Sequence, residues 1–493
     1  MCSKLLLLLL LLPQAFWCQN PGQLDTSFDG DGKIYTTFVS STYINWSCAV
    51  ATDATRVYLA GYANDGSGTI NKLSCIAFNL NGTPDNSFAT NGKFQLSWPT
   101  TAGAKDIEIQ PDGKILLFGR DNFHLLVVRL NHDGSLDPTW SEDGIAEFDA
   151  SDTVDNSSRM ALQQDGKLII SGETTAVNPE IFVARLDQNG SIDSSFGTGG
   201  KYSFTMPNYS GHLRNLVIQS DDKIIIAFDE GIVMNNLSYL LRITADGVLD
   251  NSFNTNGYIM NSGLLGYRAM ATSPDGAIFA ATTQNGNVII DKFGTDGLQD
   301  NGFSATAPFQ FESKDIFLKD GRIILVGYTK VRPFASTVTE DYAAIAFNEN
   351  GSVDTNFGTT GIAWVDMGSQ YDTALQGAIQ SDGKILITGN YGWNGQFVVC
   401  RLIGPALLGT TTFGKNIVGL YPNPTIDHKF NIALGQKYSH VFVSISNTLG
   451  QQVEVQDYYD CDTIDMEIKE IGFFLVTIAA DDQKPVTFKL INK

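Results

Sequence analysis

The chain is patterned as short, nearly continuous apolar runs separated by tight polar turns. Ile107 to Ile109 and Ile115 to Phe118 flank Pro111-Asp112-Gly113, and a further run ends at Val127-Val128-Arg129-Leu130. Asp-Gly between two such runs predicts a hairpin. Asp caps the corner, and Gly takes the left-handed conformation that other residues resist. Strands at Lys93–Ser97, Asp106–Gln110, Lys114–Gly119 and His124–Asn131 are predicted as one repeat unit. Apolar runs without strict alternation indicate sheets covered on both faces. No unit contains a helical period.

The pattern repeats. A five-residue phrase ending in an aromatic recurs seven times, at Leu24–Phe28, Pro84–Phe88, Leu136–Trp140, Ile192–Phe196, Leu249–Phe253, Gln299–Phe303 and Val353–Phe357. The aromatics step by 60, 52, 56, 57, 50 and 54 residues. The Asp-Gly-Lys hairpin sits midway in most units. It is degraded at Asp53-Ala54-Thr55-Arg56 and has lost its Gly at Ser220-Asp221-Asp222-Lys223. Four antiparallel strands per unit, repeated, predict an all-β, seven-bladed β-propeller. A stacked solenoid is the structural rival, but its units usually run about 20–45 residues. Two closures remain open: the first and last segments share a blade, or each blade is contiguous.

The ordered phrases L-D-x-S-F-x-x-x-G-K, Q-x-D-G-K-I and R-L-x-x-x-G-S-x-D resemble the delta-60 repeat family of β-propellers over Leu24 to Leu402. Unit 6 departs from it, with Gly302 in place of Ser and no G-x-x-G-K behind. After a linker at 404–419, residues 420–493 alternate as a small antiparallel β-sandwich, with a turn at Asn447-Thr448-Leu449-Gly450. Tyr421, Pro422, Asn423 and Pro424, that turn, Gly472-Phe473-Phe474 and the Lys-bearing end at Phe488–Lys493 resemble the type A C-terminal sorting domain of the Bacteroidetes type IX secretion system. The family usually has Tyr where Phe474 stands. The resemblance implies passage through the general secretory route and then the outer membrane, with cleavage of the tail and attachment or release at the surface. The type IX machinery is therefore an implied partner.

Location is also written at the other end. Leu5 to Leu12 is an unbroken leucine run after a single Lys, followed by Pro13. This is a signal-peptide pattern over 1–19, too short to span a bilayer, with cleavage between Ala15 and Asn20. Cys18 does not make a lipoprotein site, because Phe16 and Trp17 before it are too bulky. The mature propeller is then 20–403, with no transmembrane span. Cys48, Cys75, Cys400 and Cys461 remain in the mature chain without CxxC spacing, and no pairing among them can be assigned.

Charge narrows the partners. A formal net charge of −21 with no basic block excludes a nucleic-acid footprint. No His array, nucleophile elbow or phosphate loop is present, so no cofactor, metal or catalytic residue is expected. The loop Asn131 to Asp137 superficially resembles a calcium loop but lacks the terminal Glu. Its Asp, Asn and Gly read as turn chemistry. Recurrent cations Arg129, Arg185, Arg242, Lys292 and Arg401 close the fourth predicted strand, and a repeat Asp follows each. We expect these to pair, because a charge at a blade interface is costly alone. Ala77 and Ala346 replace the cation in two units.

Strand direction puts the Asp-Gly turns and the aromatic phrase on one rim, and variable loops on the other. Variable loops are where binding residues concentrate. The variable rim collects Tyr43, Trp46, Trp98, Tyr209, Tyr267, Tyr371, Tyr391 and Trp393, and the insertion Tyr328 to Asp341. Of these, Trp46, Trp98, Tyr371, Tyr391 and Trp393 are the candidate ligand contacts, for an unidentified glycan or protein. The alternative is that the rings pack within their own loops. The expected function is a secreted or cell-surface, non-enzymatic binding or adhesion module. A glycan-active hydrolase or lyase is the main rival, with Asp149, Asp152, Asp155, Glu340, Asp341, Asp366 and Asp372 as candidates among which no pair stands out. A passive structural repeat is the third reading. Carboxylates converging at the central channel would favour the enzyme.

Overall fold

The computed structural model describes residues 20–492, apart from 40–43, 65, 68–69, 149–154, 175–179, 206–210, 233–234, 263–265, 285–286, 308–309, 331–338, 393–394, 406–411, 414–415, 418, 422–424, 426–427, 448–450 and 482–485. The predicted signal segment therefore lies outside the described residues. The chain divides into two compact units between Pro405 and Ala406. No helix occurs among the described residues.

The first unit holds seven four-stranded antiparallel sheets. Blade 1 runs Asn45–Thr52, Arg56–Asn64, Asn71–Asn79 and Lys93–Gln95 from inside to outside. Blades 2 to 6 repeat this order, with inner strands Gly103–Ile109, Asp155–Leu162, Gly211–Ile218, Ala269–Thr272 and Phe311–Lys319. Blade 7 has Asp372–Ile379, Ile385–Tyr391 and Phe397–Leu402, and its outer strand is the chain's first, Lys33–Thr36. Lys33 pairs with Cys400 and Thr36 with Phe397, so the ring closes by sharing a blade between the two ends of the repeat array.

This closure corrects the predicted strand grouping. Lys93–Gln95 pairs with Asn71–Asn79, in the blade before the one to which its sequence unit assigns it. Each sequence unit is thus offset from a blade by one outer strand. The local phrases specify turns, but which sheet an outer strand joins depends on a long-range pairing.

Both faces of every sheet are buried, as the apolar runs require. Seven hydrophobic clusters each fill one interface between neighbouring blades. In blade 1, Tyr58 and Ala60 face Leu117 and Val128 of blade 2, while Val57 and Leu59 face Leu386 and Val399 of blade 7. The repeat aromatics Phe28, Phe88, Trp140, Phe196, Phe253 and Phe357 are buried within these layers. Four of them are approached by a turn glycine of the next blade. Gly134, Gly190, Gly247 and Gly297 have positive φ, and a Cβ on any of them would lie 2.7–2.9 Å from the preceding blade's ring. Those glycines are required twice, by backbone conformation and by space.

The Asp–cation pairs form in all seven blades. Arg129 Nε donates to Asp137 at 2.8 Å, and its guanidinium lies over the Trp140 ring. Arg185–Asp193, Arg242–Asp250, Lys292–Asp300 and Arg401–Asp25 repeat the pair. Arg401 reaches Asp25 across 376 residues because of the closure. In the two blades with Ala77 and Ala346, the cation comes from the second strand, as Arg56 to Asp85 and Arg322 to Asp354. In other blades that second-strand position is a Lys on the same Asp, such as Lys114 on Asp137 at 2.9 Å and Lys167 on Asp193 at 3.0 Å. The guanidinium also bridges blades: Arg185 Nη1 donates to the Ala245 carbonyl of the next blade at 2.7 Å.

The second unit contains one five-stranded antiparallel sheet, from Gly419–Tyr421, Lys429–Asn447, Gln452–Glu467, Gly472–Ala480 and Val486–Asn492. The long strand Lys429–Asn447 breaks register between Ala433 and Tyr438. The sheet thereby folds over its own core of Phe430, Val443, Phe474 and Leu490.

Candidate ligand site at the channel mouth

Seven inner strands line the central channel, and six of them carry an irregularity in their pairing. Register shifts fall between Ser47 and Ala49, Ala104 and Asp106, Ser157 and Met160, Leu213 and Asn215, Ser313 and Asp315, and Ala374 and Gln376. A bulge re-aims a side chain. Four of these bulges face a glycine in the second strand: a Cβ on Gly61, Gly119, Gly327 or Gly389 would sit 1.9–2.1 Å from an inner-strand carbonyl oxygen. The glycines make room for the bulge.

The bulge positions are Cys48, Lys105, Ser158, Arg214, Lys314 and Leu375, with Arg268 at the equivalent place in blade 5. They lie on the half of the channel nearer the variable loops. Lys105, Arg214, Arg268 and Lys314, with Arg159 from the position after Ser158, line a cavity of about 260 Å³ together with Cys48, Leu213, Ser313 and Leu375. Arg214 pairs from behind with Asp229 at 2.7 Å, and Arg268 with Glu312. Lys314 lies over the Tyr328 ring at 5.5 Å. Burial pushes the Lys314 ammonium down, Glu312 opposes this, and Arg268, Arg214 and Arg159 add to it.

One residue deeper, a polar layer crosses the channel. Arg159 donates to Asp315 at 2.9 Å and approaches Asp106 at 3.8 Å. Asp106 also accepts from Met160 N at 2.9 Å and Gln376 Nε2 at 2.7 Å, and Asp315 accepts from Gly377 N at 2.8 Å. Burial raises both carboxyls and Arg159 opposes it. Below lies a second cavity of about 560 Å³, lined in part by Glu108. Burial and then the neighbouring Asp106 push the Glu108 carboxyl up to about 7. Carboxylates do converge in the channel, then, but two of the three are tied into blade-to-blade hydrogen bonds.

None of the rim candidates lines this cavity among the described residues. Trp46 is half-buried against Tyr62 at 5.4 Å. Trp98 is half-buried, and its Nε1 donates to Asp121 at 2.9 Å. Tyr391 packs edge-on against Tyr35 at 5.3 Å, and Tyr371 is 45% exposed. Trp393, Tyr43 and Tyr209 lie outside the described residues, as does most of the insertion after Tyr328. Tyr267 is a correction: it is fully buried, donating to Asp291 at 2.6 Å, and contributes nothing to the rim surface.

Among the acidic candidates, Asp149 and Asp152 fall outside the described residues, and Asp155 opens the blade 3 inner strand. Asp341, Asp366 and Asp372 come together, each with an oxygen within 4.8 Å of the others. Asp372 already accepts from Met367 N at 2.8 Å and from the Ser369 hydroxyl. In the supposed calcium loop, Asp133 Oδ1 accepts from Ser135 N and Oγ at 3.0 and 2.6 Å, which is turn capping. In the tail, Tyr421 pairs with Asn431 in the sheet, while Pro422, Asn423 and Pro424 lie outside the described residues.

The channel cations are not among the residues that the sequence pattern singles out. A signal for them exists: the position seven residues before the hairpin Asp reads Lys105, Arg214 and Arg268 in three units, while Lys314 falls one place out of line because its hairpin is one residue shorter. A search for recurrent residues passes over it, because ligand contacts on a symmetric scaffold are where the repeats differ.

Four stretches, 110–139, 163–196, 219–253 and 380–402, match a family described as a β-propeller domain of unknown function, DUF5122. Residues 419–493 match the secretion system C-terminal sorting domain. No curated protein matches. Among solved structures, the polysaccharide lyase Uly1 aligns at 10% identity and a TM-score of 0.44, over 72% of this chain and 90% of that one. The extracellular domain of a putative hybrid two-component system from B. thetaiotaomicron aligns at 9% and 0.38, over 96% and 59%. A Pyrococcus horikoshii acylaminoacyl peptidase aligns at 11% and 0.41, over 81% and 60%.

Proposed function

For a chain that carries DUF5122 β-propeller repeats and a C-terminal sorting domain directing type IX secretion to the cell surface or beyond, we propose a non-enzymatic binding role, exercised on the variable-loop face. The observation that carries this reading is the contrast within the channel. Asp106 and Asp315, two of the three carboxyls that converge there, spend their oxygens on Met160, Gln376, Gly377 and Arg159. A general acid or base needs a free oxygen within reach of substrate. The mouth above them is open and polar, and Trp98 and Tyr371 stand beside loops that differ from blade to blade. Such a face suits recognition.

The signal segment at 1–19 supplies the first export step in this scheme, and the tail supplies the second. The test is a glycan and protein binding screen with the mature full-length chain, run beside a turnover assay for new reducing ends and unsaturated sugars. Binding without turnover, weakened by Trp98→Ala or Tyr371→Ala, supports the reading. Turnover abolished by Glu108→Gln or Asp372→Asn would replace it with the enzyme.

A further inference from the structure

We propose that the channel mouth is an oxyanion-binding site, taking a carboxylate- or sulfate-bearing group. This rests on the reading that the variable-loop face is the ligand face. Three observations carry it. First, the lining of the 260 Å³ cavity holds five cationic side chains and no carboxylate. The acids that balance them, Asp229, Glu312, Asp106 and Asp315, approach from outside that lining. Second, Lys105 and Lys314 make no ion pair among the described residues, and Lys105 is exposed at the mouth. Third, Ser313 is buried in the same lining, and its hydroxyl has no hydrogen-bond partner among the described residues.

Three of the five cations, each from a different blade, are answered from outside the lining; Lys105 and Lys314 are not, and like charges facing one concavity cost free energy unless an anion answers them. The low-dielectric walls of a cleft strengthen the field of such a cluster. Each of its N–H groups forms a stronger hydrogen bond to an anion than to a neutral acceptor. The acidic outer surface does not cancel this, because charges more than about 8 Å away are largely screened at physiological ionic strength. The volume falls just below the roughly 300–1,000 Å³ of ordinary ligand pockets. It therefore suits one charged group, or the charged end of a saccharide, rather than a buried polymer. Gly119 and Gly327 explain how a sheet built for burial presents Lys105 and Lys314.

The experiment is isothermal titration of the mature full-length chain with sodium sulfate, citrate, a sulfated disaccharide and its neutral parent, at fixed ionic strength made up with chloride. Saturable binding of the anions but not of the neutral parent is expected. Lys105→Ala should weaken it about tenfold, the worth of one charge-assisted hydrogen bond. Lys105→Ala with Lys314→Met should abolish it, and Lys437→Ala in the tail should change nothing. A sulfated disaccharide bound much more tightly than sulfate identifies an acidic saccharide as the source; equal affinities identify a free anion. Lys105 is exposed and without an ion-pair partner among the described residues, so its single variant reads binding even if the double variant folds poorly. Anion binding unaltered by Lys105→Ala, or no binding of any anion beyond the chloride control, overturns the site. A neutral ligand lost with Trp98→Ala but indifferent to Lys105→Ala overturns the anionic class and leaves the face reading intact.

Discussion

The two ends of the propeller solve the same electrostatic problem in opposite ways. On the rim built from the repeated phrases, each repeat Asp meets a cation, and most meet two. Asp137, for example, holds Arg129 at 2.8 Å and Lys114 at 2.9 Å. The pair repeats seven times and every one of these carboxylates is answered. At the channel mouth the cations outnumber the acids that line the same space, and the bulge residue changes around the ring. Repetition marks what the ring needs to close. Departure from repetition marks what it displays.

The comparison breaks most sharply where a rim pair has no spare cation. Arg322 is the cation on Asp354 in a blade whose third strand offers Ala346. Arg322→Ala is expected to destabilise by about 3 kcal/mol, since it strands a buried carboxylate. Arg129→Ala should cost less, about 1–2 kcal/mol, because Lys114 remains on Asp137. Denaturant midpoints of the two variants decide this; equal losses would refute the idea of a spare. Between these falls Gly119→Ala. Its Cβ would sit 1.9 Å from the Gly103 carbonyl oxygen, so the inner strand must shift. A loss of about 1–3 kcal/mol follows from overpacking, with anion binding reduced as Lys105 is re-aimed. Unaltered stability would show that the glycine does not hold the bulge.

Legibility in the sequence follows the same division. Seven aromatic phrases give seven blades, because a turn is specified by four or five adjacent residues. Phe88 and Trp140 are buried where a repeated aromatic at a corner must be. The rim pairs are readable as recurrent charges, although the substitution of Arg56 for the cation missing at Ala77 is not. That exchange depends on Tyr58 lying opposite Ala77, a cross-strand register. Ring closure is undetermined by sequence for a similar reason: the partner of Lys33 is Cys400. The mouth is only faintly legible, as a basic residue at one hairpin-aligned position in three units. Lys105 and Arg268 share no phrase, and only the fold brings them to one cavity. Tyr267 shows the converse error, since an aromatic beside a loop can face inward, here toward Asp291.

The smallest effect sharpens the comparison by its pH dependence. Rim aspartates and the channel glutamate should respond in opposite senses. The Ser195 hydroxyl, with Lys167 and Arg185, overcomes burial and holds Asp193 well below the usual carboxylate range. Its stabilisation is fully present above the ordinary value near 4 and is lost as pH falls from there toward the depressed folded value. Glu108 is the reverse. Its carboxyl is raised to about 7, so the folded protein binds a proton that the unfolded chain has released. Stability then declines as pH rises from about 4.5 to 7, by about 1 kcal/mol once channel solvent is allowed for. Glu108→Gln should remove that decline and leave the acid limb unchanged, whereas Asp193→Asn should weaken the acid limb alone. Denaturation of both variants from about pH 2 to pH 8 would separate the two ends. A Glu108→Gln profile parallel to that of the parent would show that the channel carboxyl is solvated like any other.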